Sequence, residues 1–252
     1  MARECIFCGG PANSREDIWP CWMASRFIAP GTMEQERGPD LRKTSWRVDR
    51  PELVVKRVCK TCNNGWMSDL ESAVRPTMGG LVNDIAMGLD EEQQRLLARW
   101  AVKTAMVIEG VKQAKNSFYS PEQRSTFRQT LFPPLQTAVW VGRCAQSNNL
   151  HGEARKLHVS NPTATNPLDD GCATTFVTGR LVMQVLSIRR KPDAMHGNLR
   201  LRMRSGPWES KLVQIWPLEK RRVDWPPPQS FTDLDDGLRD LRRRFAVGVA
   251  SD

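Results

Sequence analysis

Cys5-Ile-Phe-Cys8 and Cys59-Lys-Thr-Cys62-Asn-Asn-Gly-Trp-Met67 are the stretches on which the fold of this chain turns. A Cys-x-x-Cys pair places two thiolates on one tight turn, which is half of a tetrahedral metal site; two such turns complete it. Closing the site would join segments about fifty positions apart, a useful cross-link for a small module with little core of its own. Disulfides, or separate buried thiols, are the other readings of the same four residues. The spacing therefore predicts one structural Zn2+ held by Cys5, Cys8, Cys59 and Cys62. Cys21, Cys144 and Cys172 stand alone and read as small core residues.

Working outward, the chain divides into three expected parts: 1–75, 76–134 and 135–252. The first holds both cysteine pairs around a loop rich in Pro, Gly and charge. The second reads as helical. Asp90 followed by Gln93 forms a capping box, and Leu97, Trp100, Ala101, Thr104, Ala105 and Ile108 then return on one helical face. Ser120, Pro121 and Gln123 mark a second helix start, which Phe132-Pro-Pro134 should end.

The third part turns to strands over Ala138–Val141, Thr174–Ile188 and Lys211–Trp216. Leu199 to Arg204 alternates, with Arg200, Arg202 and Arg204 on one face. His151 to Gly171 is polar, contains Pro162 and Pro167, and reads as a long loop. A last amphipathic helix is expected through Leu234, Leu238, Leu241 and Phe245. The fold class is thus α+β: a zinc-stapled N-terminal module, a helical middle, and a mostly antiparallel β-rich C-terminal part closed by a helix.

Bulk properties narrow the function. With 40% hydrophobic and 26% charged residues, the composition is that of an ordinary globular chain. No apolar run approaches the ~18 residues of a membrane helix. The opening residues lack a secretion-signal pattern, so a cytoplasmic location with reduced thiols, and no membrane partner, is expected. The net charge is +9. Residues 1–71 carry 11 Lys/Arg against 10 Asp/Glu, so the remaining 26 against 18 place +8 in the rest of the chain. That surplus favours an anionic partner, nucleic acid first. Arg189, Arg190, Arg200, Arg202 and Arg204, with the run Arg242–Arg244, are the candidate phosphate contacts. Exposed arginines that merely keep a sheet soluble are the competing account. The three histidines lie in polar loop or turn contexts, and the chain has no phosphate-cradling loop or dinucleotide fingerprint.

Between the cysteine pairs stands Ser14-Arg-Glu-Asp-Ile-Trp-Pro20, and the second pair runs on into Asn63-Asn-Gly-Trp-Met67. Together these resemble the HNH (His-Me finger, ββα-metal) endonucleases, and most of all a bacterial and phage subgroup reading CxxC…REHxxP…CxxCNNGWM. The resemblance covers about the first quarter of the chain. It implies a ββα hairpin that grips one divalent cation, Mg2+ or Mn2+, on a scissile phosphate of DNA. Carried over, Glu16 falls on the metal-binding carboxylate, Asn63 on the ligand after the fourth cysteine (Asn64 as its substitute), and Asp17 on the general-base histidine.

The departure at position 17 matters, because no histidine precedes His151 and aspartate is a far weaker base at neutral pH. Asp17 could serve as a poorer base, or share the metal with Glu16. Alternatively, cleavage is lost and the module binds nucleic acid or a protein partner. A further possibility is a purely structural zinc with function in the C-terminal part. Outside the motif, Glu16 and Asp17 also suit the start of a short helix around Trp19–Phe27. Asn63 likewise suits a helix N-cap before Trp66, Met67 and Leu70. Trp19, Trp22 and Trp66 are expected to pack over the zinc turns.

Overall fold

The structure is a computed structural model describing residues 3–24, 31–37, 42–48, 54–110, 117–146, 150–159, 169–190, 201–202, 206, 208–233, 237, 241, 244 and 248–249. It is a mixed α+β fold with a helical middle and a five-stranded antiparallel sheet toward the C-terminus. The N-terminal part contains β1 (Glu16–Asp17), α1 (Cys21–Ala24), the hairpin β2 (Gly31–Arg37) and β3 (Arg42–Val48), and β4 (Val54–Val55). β1 pairs antiparallel with β4, Glu16 opposite Val55 and Asp17 opposite Val54. Glu16 and Asp17 are thus extended, and the short helix begins only after Pro20. α2 (Lys60–Cys62) and α3 (Ser68–Val82) then follow, joined through Asn63–Met67 with a kink at Gly65, whose backbone (φ −98°, ψ −119°) is not helical.

The middle is built on α4 (Glu91–Glu109) and α5 (Pro121–Thr130), joined to α3 across β5 (Met87–Leu89). Both expected caps are present. Asp90 accepts from the Gln93 N–H while the Gln93 side chain accepts from the Asp90 N–H. Ser120 and Gln123 make the same reciprocal pair, with Pro121 at the first helical position. α5 ends at Leu131, whose left-handed conformation (φ 53°) turns the chain before the prolines. The predicted α4 stripe is buried, and so are Gln94, Lys103 and Glu109; the helix starts at the surface and from Trp100 to Glu109 is covered on every side.

The sheet contains β6 (Thr137–Arg143), β7 (Leu150–Val159), β8 (Asp169–Thr178), β9 (Leu181–Arg190) and β11 (Leu212–Trp216) in the order β11-β6-β9-β8-β7. Residues alternate between two apolar layers. Met183, Val185, Cys172 and Phe176 join the main core, whereas Val182, Leu186, Ala173 and Val177 face a second cluster around Trp140, Trp208 and Phe231. Burial on both faces explains the nearly unbroken apolar run of β8 and β9, which a two-residue turn makes a hairpin. β10 (Leu201–Arg202) pairs with β13 (Gly248–Val249), and β12 (Val223–Trp225) pairs with β5.

The expected loop from His151 to Gly171 is corrected. Leu150–Val159 is a ten-residue strand paired along its whole length with Asp169–Thr178. As the sheet edge it needs little apolar content, and Gly152 has the close contact typical of a packed strand. A Cβ there would lie 3.4 Å from both the Trp19 ring and Ile108. Residues 160–168, with Pro162 and Pro167, lie outside the described residues, as does most of the expected closing helix. Leu241, from that expected stripe, is buried in the second cluster. Among the described residues, no helix is long and apolar enough to cross a membrane.

Candidate metal centre and the buried charges beside it

The first cysteine turn is closed by the Gly9 N–H donating to the Cys5 carbonyl at 2.9 Å and the Cys5 N–H donating to the Gly10 carbonyl at 2.6 Å. Gly9 has φ +75°, the left-handed value that a side chain would resist, so the sequence Cys8-Gly-Gly10 suits the turn. The second turn opens a helix. Cys59 is its N-cap, its sulfur accepting from the Cys62 N–H at 3.4 Å. The turns are sewn together by Ile6 N–H to the Arg57 carbonyl (2.9 Å) and Ser14 N–H to the Val58 carbonyl (3.1 Å). Asn13 Oδ1 adds a bond from the Lys60 N–H at 2.9 Å.

This stitching brings the four sulfurs of Cys5, Cys8, Cys59 and Cys62 within 4.8 Å of one another. Around a tetrahedral zinc with Zn–S bonds of about 2.3 Å, sulfurs lie roughly 3.8 Å apart. The Cys8–Cys59 separation is 3.6 Å, far from the ~2.05 Å of a disulfide, and all four thiols are free. Cys5, Cys59 and Cys62 are buried while Cys8 meets solvent, so an ion has a route of entry. Burial opposes ionisation of Cys59. The Cys62 N–H and the neighbouring thiols outweigh it and bring Cys59 down to about 7. Burial, with the adjoining sulfurs, pushes Cys62 and Cys8 up. Four thiols this close cannot all ionise without a cation among them. The four cysteines are positioned to bind a metal ion such as Zn2+.

Trp66 packs on this centre as expected, its ring 5.0 Å from Phe7 and 6.0 Å from Phe127 of α5. Trp19 instead lies against the edge strand, and Trp22 lies under the Arg75 guanidinium, 5.4 Å from its carbon. Cys21 is not a core residue: it is exposed and its thiol donates to Asp17 Oδ2 at 3.2 Å. Cys144 and Cys172 are buried.

The other candidate residues divide sharply. Strand alternation turns Glu16 inward and leaves Asp17 partly exposed. Glu16 is 3% exposed, and its Oε1 accepts from Lys103 Nζ at 3.0 Å. The same ammonium donates to Glu71 Oε1 at 2.7 Å. Burial raises the Glu16 carboxyl above its usual range; the shared Lys103 ammonium offsets this only in part, and the nearby Glu71 charge adds to the rise. Burial would lower Lys103, but the two carboxylates overcome it and hold the amine above its ordinary value. Asn63 is helical and is not an N-cap, Cys59 having that role; it sits at the C-terminal end of α2. Its Nδ2 donates to Ser14 Oγ (3.2 Å) and to the Arg15 carbonyl (3.0 Å), fixing the turn that leads into β1.

The arginines are equally divided. Arg189 donates to the Phe118 carbonyl at 2.6 Å and faces Asp170 at 3.4 Å. Arg244 is buried over Trp140, donating to Gln184 Oε1 at 2.8 Å, and desolvation lowers it to about 10. Arg244 is therefore no surface phosphate contact. Arg190 and Arg202 are described by their strand backbones alone, and Arg200 and Arg204 lie outside the described residues.

Sequence reasoning missed Lys103 and Glu109. Both lie within α4. Glu109 accepts from Arg124 (2.6 Å), the Phe118 N–H (2.7 Å) and Ser117 (2.7 Å), a second fully buried ion pair. The position of Lys103 beside Thr104 on the stripe was the available signal. Comparisons with protein-family models, with curated proteins and with solved structures find no match.

Proposed function

We propose that this chain is a zinc-stapled, HNH-like protein that binds nucleic acid and does not hydrolyse it. The observation that carries this reading is the Lys103 ammonium on Glu16. The family resemblance would have Glu16 hold a divalent cation. An ammonium at hydrogen-bond distance fills that place and repels a second cation. The residues present therefore do not fit a catalytic metal at Glu16. Asp17 adds no imidazole.

The order of elements supports the HNH-like part of the reading. β1 pairs with β4, and a helix then begins on the second cysteine turn. The surplus of +8 over residues 72–252 supports an anionic partner.

The test pairs cleavage with binding. Wild type, Asp17→His and Glu16→Ala are incubated with supercoiled plasmid in Mg2+ or Mn2+, and affinity for labelled DNA is read by anisotropy at several salt concentrations. The expected result is intact plasmid in every lane and salt-dependent binding. Nicking by wild type or Asp17→His would restore the endonuclease reading. Absence of binding at low salt would leave a structural zinc protein whose partner is another protein.

A further inference from the structure

Trp66 is gripped by two rings in edge contact with it, Phe7 at 5.0 Å and Phe127 at 6.0 Å between centroids. Phe7 lies inside the first cysteine turn, and Cys62 of the second turn lies four positions before Trp66. The indole therefore touches one half of the sulfur cluster and shares a helical run, kinked at Gly65, with the other. Its Nε1 is buried and makes no hydrogen bond to oxygen or nitrogen. Buried polar groups in native interiors nearly always have a partner. Trp19, Trp100 and Trp225 also have buried Nε1 atoms outside hydrogen-bond geometry, so burial alone does not single out Trp66. The adjoining sulfur does. Burial pushes the Cys62 thiol up, and the Trp66 side chain opposes that rise as a hydrogen-bond donor to it.

We infer that the Trp66 indole N–H donates to the Cys62 thiolate when the four-cysteine centre holds its metal, and that this bond adds to metal affinity. A neutral thiol is a weak acceptor, whereas a metal-bound thiolate carries charge and accepts a shorter, stronger bond. Groups that hydrogen-bond a metal's ligands fix the orientation of those ligands and raise affinity. Phe7 and Phe127 already hold the ring in place, so little freedom is lost when the bond forms. Trp66 is thus a positioning residue that acts on the ion only through Cys62. This role rests on the four-cysteine metal site and is independent of nucleic-acid binding.

The full chain, isotopically labelled at nitrogen, is loaded with a magnetically active cadmium isotope in place of zinc, and its nine indole N–H signals are recorded by NMR. A scalar coupling from cadmium to an indole proton passes only through an N–H···S–Cd path. One indole signal is expected to be split, to lose its splitting with a spinless cadmium isotope, and to vanish in Trp66→Phe. Competition with a chelator should show Trp66→Phe holding metal about 10-fold to 100-fold more weakly than wild type. The wild-type spectrum does not depend on the variant folding. Absence of any split signal from a cadmium-loaded chain overturns the assignment whatever the affinities, because lost packing alone weakens binding. Equal affinities overturn it as well, even with a split signal, because the bond would then contribute nothing to holding the metal. A chain that takes up no cadmium removes the four-cysteine site itself, and the role of Trp66 with it.

Discussion

Lys103 Nζ lies 3.0 Å from Glu16 Oε1, with both side chains closed off from solvent, although 87 positions separate them in the chain. A helix from the middle of the protein thus supplies the cation for a carboxylate of the four-cysteine module. Removing the Lys103 charge strands the buried Glu16 carboxylate, whereas removing the Glu16 charge leaves the ammonium paired with Glu71.

Lys103→Met is expected to lower stability by about 3–5 kcal/mol, the range for breaking a buried pair from one side. Glu16→Gln should cost less, because Glu71 still holds the ammonium. Urea denaturation of both variants checks the order.

The same lysine fixes an alkaline limit. Its amine is held above the ordinary value of 10.5 in the folded protein, so the folded state retains a proton that the unfolded chain releases. The stabilisation is complete below that value and is lost as pH rises from it toward the folded one. Melting temperature measured from pH 9 to about 12 should fall more steeply for wild type than for Lys103→Met.

Metal content follows from the sulfur cluster. Purified protein should hold one zinc per chain by elemental analysis, and Cys62→Ser should lose most of it. Chelation should unfold the N-terminal turns first, because zinc affinity there is part of the folding free energy.

Phe127→Ala tests the joint between the metal centre and α5. It removes a fully buried ring and the partner of Trp66, and should cost about 3–5 kcal/mol by thermal or chemical unfolding. Arg124→Met should cost a similar amount by leaving the Glu109 charge with only neutral donors.

Much of this architecture was legible in the residues. The two Cys-x-x-Cys turns, the Asp90 and Ser120 caps and the strands rich in apolar and β-branched residues follow from local rules that act over a few positions. The edge strand Leu150–Val159 escaped because a strand with one neighbour can be polar, and polar periodicity resembles a loop.

What the sequence by itself determined is therefore which residues could meet: four thiols in two matched turns, and helices with marked ends. Only the tertiary structure decided where charge went. Burial of Lys103 against Glu16 and Glu71, and of Arg124 against Glu109, depends on contacts across 15 to 87 positions. No local propensity encodes such a contact, because its energy exists only after water has been excluded from both partners.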